Sequence, residues 1–205
     1  MKEVVLIGYS GHGHVAHDIF DMMGIKVAGY CDLEEKEDNY ANLMYFGKEA
    51  DNSVLETLKD FDCFVSIGDN MIRERTSRYL LNNDIGLINA IHPSSVVSSS
   101  ATLGKGVMVG PNTTINSHAA IKDGSICNSA SVVEHGCQVG EYSHIAPGAV
   151  LCGGVTIGSL TLIGAASVVL FNICVGAHVM VGAGTIVISN VSDNQKVVGN
   201  PQRVI

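Results

Sequence analysis

The sequence predicts an α/β, Rossmann-like domain over residues 1–90, followed by an all-β parallel β-helix over residues 91–205 that ends in a short tail. Three observations carry this reading. Counting from Ile91 to Val187 in steps of six gives seventeen positions, sixteen of them Ile, Leu or Val and the other Cys127. Four residues after each stands a small or β-branched residue, from Ser95 through Ser125, Ser143 and Thr161 to Val191. Upstream of residue 90 the six-residue period is absent, and short apolar runs alternate with helical patterns.

A fixed six-residue period marks a solenoid in which one aliphatic residue per hexad points inward. Three hexads make one triangular coil of about 18 residues, so the repeat amounts to about five and a half coils, stacked at ~4.8 Å. Glycines directly after the inward residue (Gly104, Gly110, Gly140, Gly158, Gly164, Gly176 and Gly182) fit corners that need positive φ or close backbone approach.

In the first ninety residues, Val4 to Ile7 reads as a buried strand and Gly8-Tyr9-Ser10-Gly11-His12-Gly13 as a glycine turn. A helix from Val15 to Met23 follows, with Val15, Ile19, Met22 and Met23 on its apolar face. Val27 to Cys31 is a second strand, Val54 to Leu58 a short helix, Cys63 to Ile67 a third strand and Arg73 to Leu81 an amphipathic helix. This alternation describes a small parallel α/β unit. Ile85 to Ile91 leads into the repeat, with His92-Pro93 at the junction.

Composition narrows the function. Twelve Lys and Arg against twenty Asp and Glu give a net charge of −8 over 205 residues, which argues against a nucleic-acid partner. With 46% apolar and 16% charged residues the chain is no disordered segment. No Asp, Glu, Lys or Arg occurs from Tyr142 to Ser192, yet glycines and the six-residue period rule out a membrane helix there. The N-terminal apolar run is too short for a signal peptide, so a cytoplasmic location is expected. The six cysteines form no CxxC pair and read as reduced structural thiols. His12, His14 and His17 lack a matching ligand set, so no metal is expected.

Several residues carry chemistry. The glycine turn lies between strand and helix, where backbone N–H groups receive phosphate, and Asp32 ends the second strand, where such folds hold a ribose or base. Ile67-Gly68-Asp69-Asn70 leaves the third strand at the same carboxyl-end edge. Within the repeat, Glu134-His135 and His144 interrupt a run of small neutral residues. A histidine is the natural base for acyl transfer near neutral pH. One coil beyond His135 lies Gly153, whose surrounding backbone N–H groups suit an oxyanion.

Taken together, SGHG at residues 10–13, IGDN at 67–70, VVEHGCQVGEYSHIAPGA at 132–149 and the ending VVGNPQRVI resemble the nucleotide-sugar acyltransferases of the bacillosamine-pathway and perosamine N-acetyltransferase type. The resemblance covers essentially the whole chain. It implies a left-handed β-helix, a homotrimer, and transfer of acetyl from acetyl-CoA to the 4-amino group of a nucleotide-linked 6-deoxysugar. By the same resemblance Ser10, Gly11, His12, Asp32, Gly68 and Asn70 meet the nucleotide sugar. His135 is the base, supported by Glu134, and acetyl-CoA lies along His144, Gly153, Gly164, Gly182, Asn200 and Pro201. Many members of this type carry Asp or Glu after the base. Here Gly136 stands there, leaving Glu134 or Glu141 as partner, and Gln202 replaces the usual alanine of the tail. O-acetylation of a sugar, as in the related sialic acid O-acetyltransferase, is the alternative activity, and a non-catalytic scaffold is a third.

Overall fold

The computed structural model describes residues 2–205 and divides after Pro93 into two compact units. In the first, four parallel strands β1 (Val4–Ile7), β2 (Val27–Cys31), β3 (Met44–Gly47) and β4 (Asp62–Val65) lie in the order β3-β2-β1-β4. Helices α1 (Gly11–Met22), α2 (Asn52–Leu58) and α3 (Asn70–Asn82) connect them. β1 is buried along its whole length, which is why it reads as an unbroken apolar run. The strand absent from the sequence reading is β3, a four-residue edge strand whose Met44 is exposed and whose pairing slips between Tyr30 and Cys31. Such a segment carries neither period.

Helix α1 begins four residues before the expected Val15. Its first backbone bond runs from His14 N–H to Ser10 O at 2.9 Å, so Gly11 to Gly13 belong to the helix and not to the turn. The buried face is Gly13, Ala16, Ile19 and Phe20, whereas Val15 and Met22 are 37% and 57% exposed. A Cβ on Gly13 would stand 2.8 Å from Gly8 O, so the missing side chain lets the helix sit directly on the loop before it.

The second unit is a left-handed β-helix of two-residue strands. The strand at Val132–Val133 pairs in parallel with Thr114–Ile115 and Val150–Leu151, eighteen residues away on either side, and the strands from Val96–Val97 to Ile186–Val187 keep that spacing. The hexad residues are buried from Val109 to Val187. The small residue four places later is buried as well, and at Ser125, Ser143, Thr161 and Ser167 its hydroxyl closes a corner bond to a glycine carbonyl of the next coil. Ser125 Oγ donates to Gly140 O at 2.9 Å, Ser143 Oγ to Gly158 O at 2.7 Å, and Thr161 Oγ1 to Gly176 O at 2.7 Å. This bond explains a pattern that period alone left as shape.

Corner glycines divide into two kinds. Those directly after the inward residue have ordinary φ, and close backbone approach is the reason for them: a Cβ on Gly140 would lie 2.6 Å from Ser159 N and 2.7 Å from the Gly158 carbonyl carbon. Positive φ falls two residues further on, at Gly136, Gly154 and Gly184 but also at Asn112, Tyr142 and Asn172. The two kinds predict different costs. Gly140→Ala should lose about 3 kcal/mol or more, because backbone must shift. Gly184→Ala, at φ +67° with no atom within 4 Å of its Cβ, should lose about 1–2 kcal/mol. Urea unfolding of the two variants checks the order.

Candidate active site

In the first unit the chain crosses from one side of β1 to the other, because β1 is flanked by β2 and β4. The loops after β1 and β4 therefore leave neighbouring strand ends at the switch point of the sheet, where open α/β sheets bind ligands. Gly8 begins the first loop at φ +92°, and Ser66 Oγ fastens the second to it by donating to Gly8 O at 2.5 Å. Ser10 caps α1 without a side-chain bond and Gly11 has open space where a Cβ would be. A cavity of about 300 Å³ opens here, lined by Tyr9, Ser10, Gly11, His14, Lys36, Glu37 and Asp38.

Asp32 is already engaged. Its Oδ2 accepts from Tyr9 N–H at 2.9 Å, and its Oδ1 accepts from Leu33 N–H at 2.7 Å and pairs with Lys36 Nζ at 3.2 Å. The carboxylate thus braces the first loop from the end of β2. Tyr9 stacks on Tyr30 with ring centroids 4.5 Å apart, and Tyr45 follows at 5.4 Å from Tyr30. This aromatic stack fixes the wall beside the cavity.

His12 packs over Gly68, where a Cβ would come within 2.8 Å of the imidazole Cδ2 and 2.9 Å of Nε2. What holds Gly68 there is a residue that the sequence reading left as a helix start. Arg73 is 1% exposed, and its guanidinium donates to Ile67 O and Gly68 O, each at 3.0 Å, and to Asn70 Oδ1 at 2.8 Å. Asp69 caps α3 by accepting from Ile72 N–H at 2.9 Å. Burial, reinforced by the Arg73 guanidinium, holds His12 below its ordinary pKa. An arginine among exposed charges on an amphipathic helix gives no sequence signal of burial; only its position three residues after Asn70 hints at the bond.

In the second unit His135 stands at a corner of the coil. Its ring lies over Gly153 of the next coil, so closely that a Cβ there would be 2.6 Å from both Cε1 and Nε2. The two corners are locked by Gly154 N–H donating to His135 O at 2.9 Å, while the Gly153 N–H has no acceptor among the described residues. Glu134 does not reach the ring: its Oε2 accepts from the backbone N–H of His135 at 3.3 Å. Glu141 sits at the following corner, beyond the strand Gln138–Val139. Neither carboxylate supports the imidazole within one protomer. Gly136 has φ +69°, and the corner conformation accounts for glycine at that place.

His144 belongs to another face, paired with Ile126 and Leu162. Asn128 Oδ1 accepts from Ser129 N–H at 2.8 Å, which turns its Nδ2 toward His144 Nε2 at 3.1 Å and assigns the ring proton to Nδ1. In the triangular coil this face lies opposite the His135 corner, so one chain separates the two histidines. Gly164 follows Ile163 on the His144 face, and its Cβ would lie 2.5 Å from Val181 O; Gly182 repeats the position one coil on. The tail ends the same face with Lys196–Val198 beside Met180–Val181 and Arg203–Val204 returning antiparallel, Asn200 and Pro201 forming the exposed turn between them. Gln202 binds this tail to the last coil, accepting from Ile188 N–H at 2.5 Å and donating to Ser189 O at 3.0 Å.

The buried thiols play no part as nucleophiles. Burial pushes Cys63 and Cys127 up to about 12, which leaves them protonated at neutral pH. Among the described residues no group of three His, Cys, Asp or Glu could hold a metal, and no helix is long and apolar enough to cross a membrane.

A switch-point cavity on a parallel sheet, joined to a hexapeptide-repeat helix with a histidine over a glycine corner, defines the class of hexapeptide-repeat acyltransferases with an α/β recognition domain. The comparisons agree. Residues 3–80 match the PglD N-terminal domain family. The chain is 32% identical to a histidine-to-asparagine mutant of perosamine N-acetyltransferase from Caulobacter crescentus, solved with CoA and GDP-perosamine, at TM-score 0.94 over 100% of this chain and 97% of that one. It is 28% identical to the acetyltransferase domain of PglB from Neisseria gonorrhoeae, solved with acetyl coenzyme A, at TM-score 0.93 over 100% and 99%. UDP-N-acetylbacillosamine N-acetyltransferase of Bacillus subtilis is 30% identical over 111 residues, 53% of this chain and 51% of that protein, so the chain matches about half the length of that relative. The chain belongs to the family of perosamine- and bacillosamine-type sugar N-acetyltransferases.

Arg73 and His12 give a test of the first unit. Arg73→Met leaves two part-buried carbonyls without their donor and its own neighbours unfilled, and should destabilise by about 2–3 kcal/mol. With the guanidinium gone, the His12 pKa should rise toward its ordinary ~6.5, although burial still holds it down. The fold favours neutral His12, so its contribution to stability is complete above ~6.5 and is lost as pH falls through the lowered value. An NMR titration of the His12 ring in both proteins, with melting curves at pH 5 and 8, reads both effects.

Proposed function

We propose that this chain transfers the acetyl group of acetyl-CoA directly to the 4-amino group of a nucleotide-linked 4-amino-4,6-dideoxysugar, in the cytoplasm, with His135 as general base. The observation that carries the reading is the seat of the His135 ring over Gly153, which puts a proton acceptor beside a backbone N–H with no acceptor of its own. The sugar amine attacks the thioester carbonyl carbon and gives its proton to His135. The oxygen gains the charge and is met by the Gly153 N–H. The C–S bond then breaks, the amide forms, and the leaving sulfur takes the proton from the imidazolium as CoA thiol. Geometry supplies much of the rate, since no acyl-enzyme is needed.

The nucleotide sugar is assigned to the switch point, with Ser10, Gly11, His12, Gly68 and Asn70 facing it and Asp32 bracing the loop. Relatives solved with CoA, GDP-perosamine or acetyl coenzyme A support both halves of this assignment. His144, Gly164, Gly182, Asn200 and Pro201, the acetyl-CoA residues carried on one face, lie opposite the His135 corner within a chain. A complete site therefore takes its base from one protomer and its remaining acetyl-CoA wall from the next, as a closed three-fold ring of prisms provides.

Acetyl-CoA should release free thiol with at least one of the UDP-, dTDP- or GDP-linked 4-amino-6-deoxysugars, and with none of their 4-hydroxy counterparts. His135→Asn, which keeps the shape without the base, should lower kcat about a hundredfold or more. Light scattering should return about three times the 21.6 kDa chain mass. Absence of turnover across the panel, or a 21.6 kDa species at micromolar concentration, contradicts the reading.

A further inference from the structure

One corner of the β-helix carries, coil after coil, Ser99, Ser117, His135, Gly153, Phe171 and Ser189, each eighteen residues from the next. Backbone bonds keep the corners in line: Gly136 N–H to Ser117 O at 3.0 Å, Gly154 N–H to His135 O at 2.9 Å, and Asn172 N–H to Gly153 O at 3.0 Å. Phe171 is the one large apolar side chain in this column, and it is 68% exposed. Gly153, without a side chain, forms a notch between it and His135. Two coils, about 10 Å, separate the backbone at Phe171 from that at His135.

The notch has a direction. The His135 ring leans onto Gly153, hence toward Phe171 and away from Ser117. A carbonyl held at the Gly153 N–H must leave along the column, and the two ways out differ. Toward the N-terminal coils the column carries only the small polar Ser117 and Ser99; toward the C-terminal coils it carries Phe171, and the chain is uncharged from Tyr142 to Ser192.

We propose that Phe171 is a positioning residue for the acyl donor: its exposed ring is the surface on which the pantetheine arm of acetyl-CoA packs as it leaves the reacting carbonyl at Gly153. The arm is an uncharged, flexible chain with two amides. An aromatic face removes its methylenes from water and restricts the thioester to the His135 side of the notch. This rests on the acetyl-CoA reading above, so its test includes binding as well as turnover.

Calorimetry compares wild type, Phe171→Ala and Phe171→Tyr for CoA and for adenosine 3′,5′-bisphosphate, which lacks the arm. Phe171→Ala should weaken CoA about five- to tenfold, leave the bisphosphate within twofold, and keep the trimer mass; Phe171→Tyr should restore CoA. In turnover, KM for acetyl-CoA should rise by a similar factor while KM for the sugar is unchanged. Unchanged CoA affinity, equal loss of both ligands, or dissociation of the trimer in Phe171→Ala overturns the proposal. Wild type that binds CoA yet acetylates no amino sugar overturns the acceptor reading and leaves this one standing, whereas wild type that binds no CoA overturns both.

Discussion

The eighteen-residue register of the β-helix is the constraint on which the rest depends. At corner after corner one N–H is bonded to the carbonyl of the coil before it, as Gly136 to Ser117 and Gly154 to His135, and the hydroxyls of Ser125, Ser143, Thr161 and Ser167 are bonded to a glycine carbonyl of the coil after. Once that ladder is set, the side chain at any corner has a fixed neighbour. His135 lies on Gly153 because Gly154 N–H is tied to His135 O, and Gly140 must be glycine because Ser159 presses on it. A slip of one residue would turn the buried valines outward and dissolve the site at the same time.

The α/β unit positions its residues by a different device. Its loops are held by charges turned inward: Asp32 takes the Tyr9 N–H, and Arg73 takes the Ile67 and Gly68 carbonyls. Both are costly to bury alone and are satisfied by backbone partners, which orders the loops around them. Asp32 was expected as a ribose or base contact. The structure gives it a prior task, with one oxygen on Tyr9 and the other on Leu33 and Lys36.

Legibility in the sequence follows from how local each cause is. The coil count, the inward residues and the pairing of His135 with Gly153 were readable because an arithmetic period encodes them. The reason for the corner glycines was half readable: close approach is set by the next coil, and positive φ turned out to sit two residues later, at places taken also by Asn112 and Tyr142. Strand β3 and the burial of Arg73 were not readable. The first is an exposed edge with no alternation, and the second depends on carbonyls from a loop whose path the sequence does not state. Glu134 was legible as a neighbour of His135 but not in its use, since a carboxylate beside a corner meets the adjacent backbone N–H before it meets the ring.

The central claim is that catalysis rests on the seat of the His135 ring over a glycine. Gly153→Ala tests it most directly, because the added methyl would lie 2.6 Å from the ring yet the ring is a side chain free to move, so the coil survives while the base is displaced. Steady-state kcat, measured with acetyl-CoA and the acceptor that the wild type prefers, should fall about a hundredfold with the melting temperature changed by only a few degrees. A folded Gly153→Ala enzyme with wild-type kcat would contradict the account.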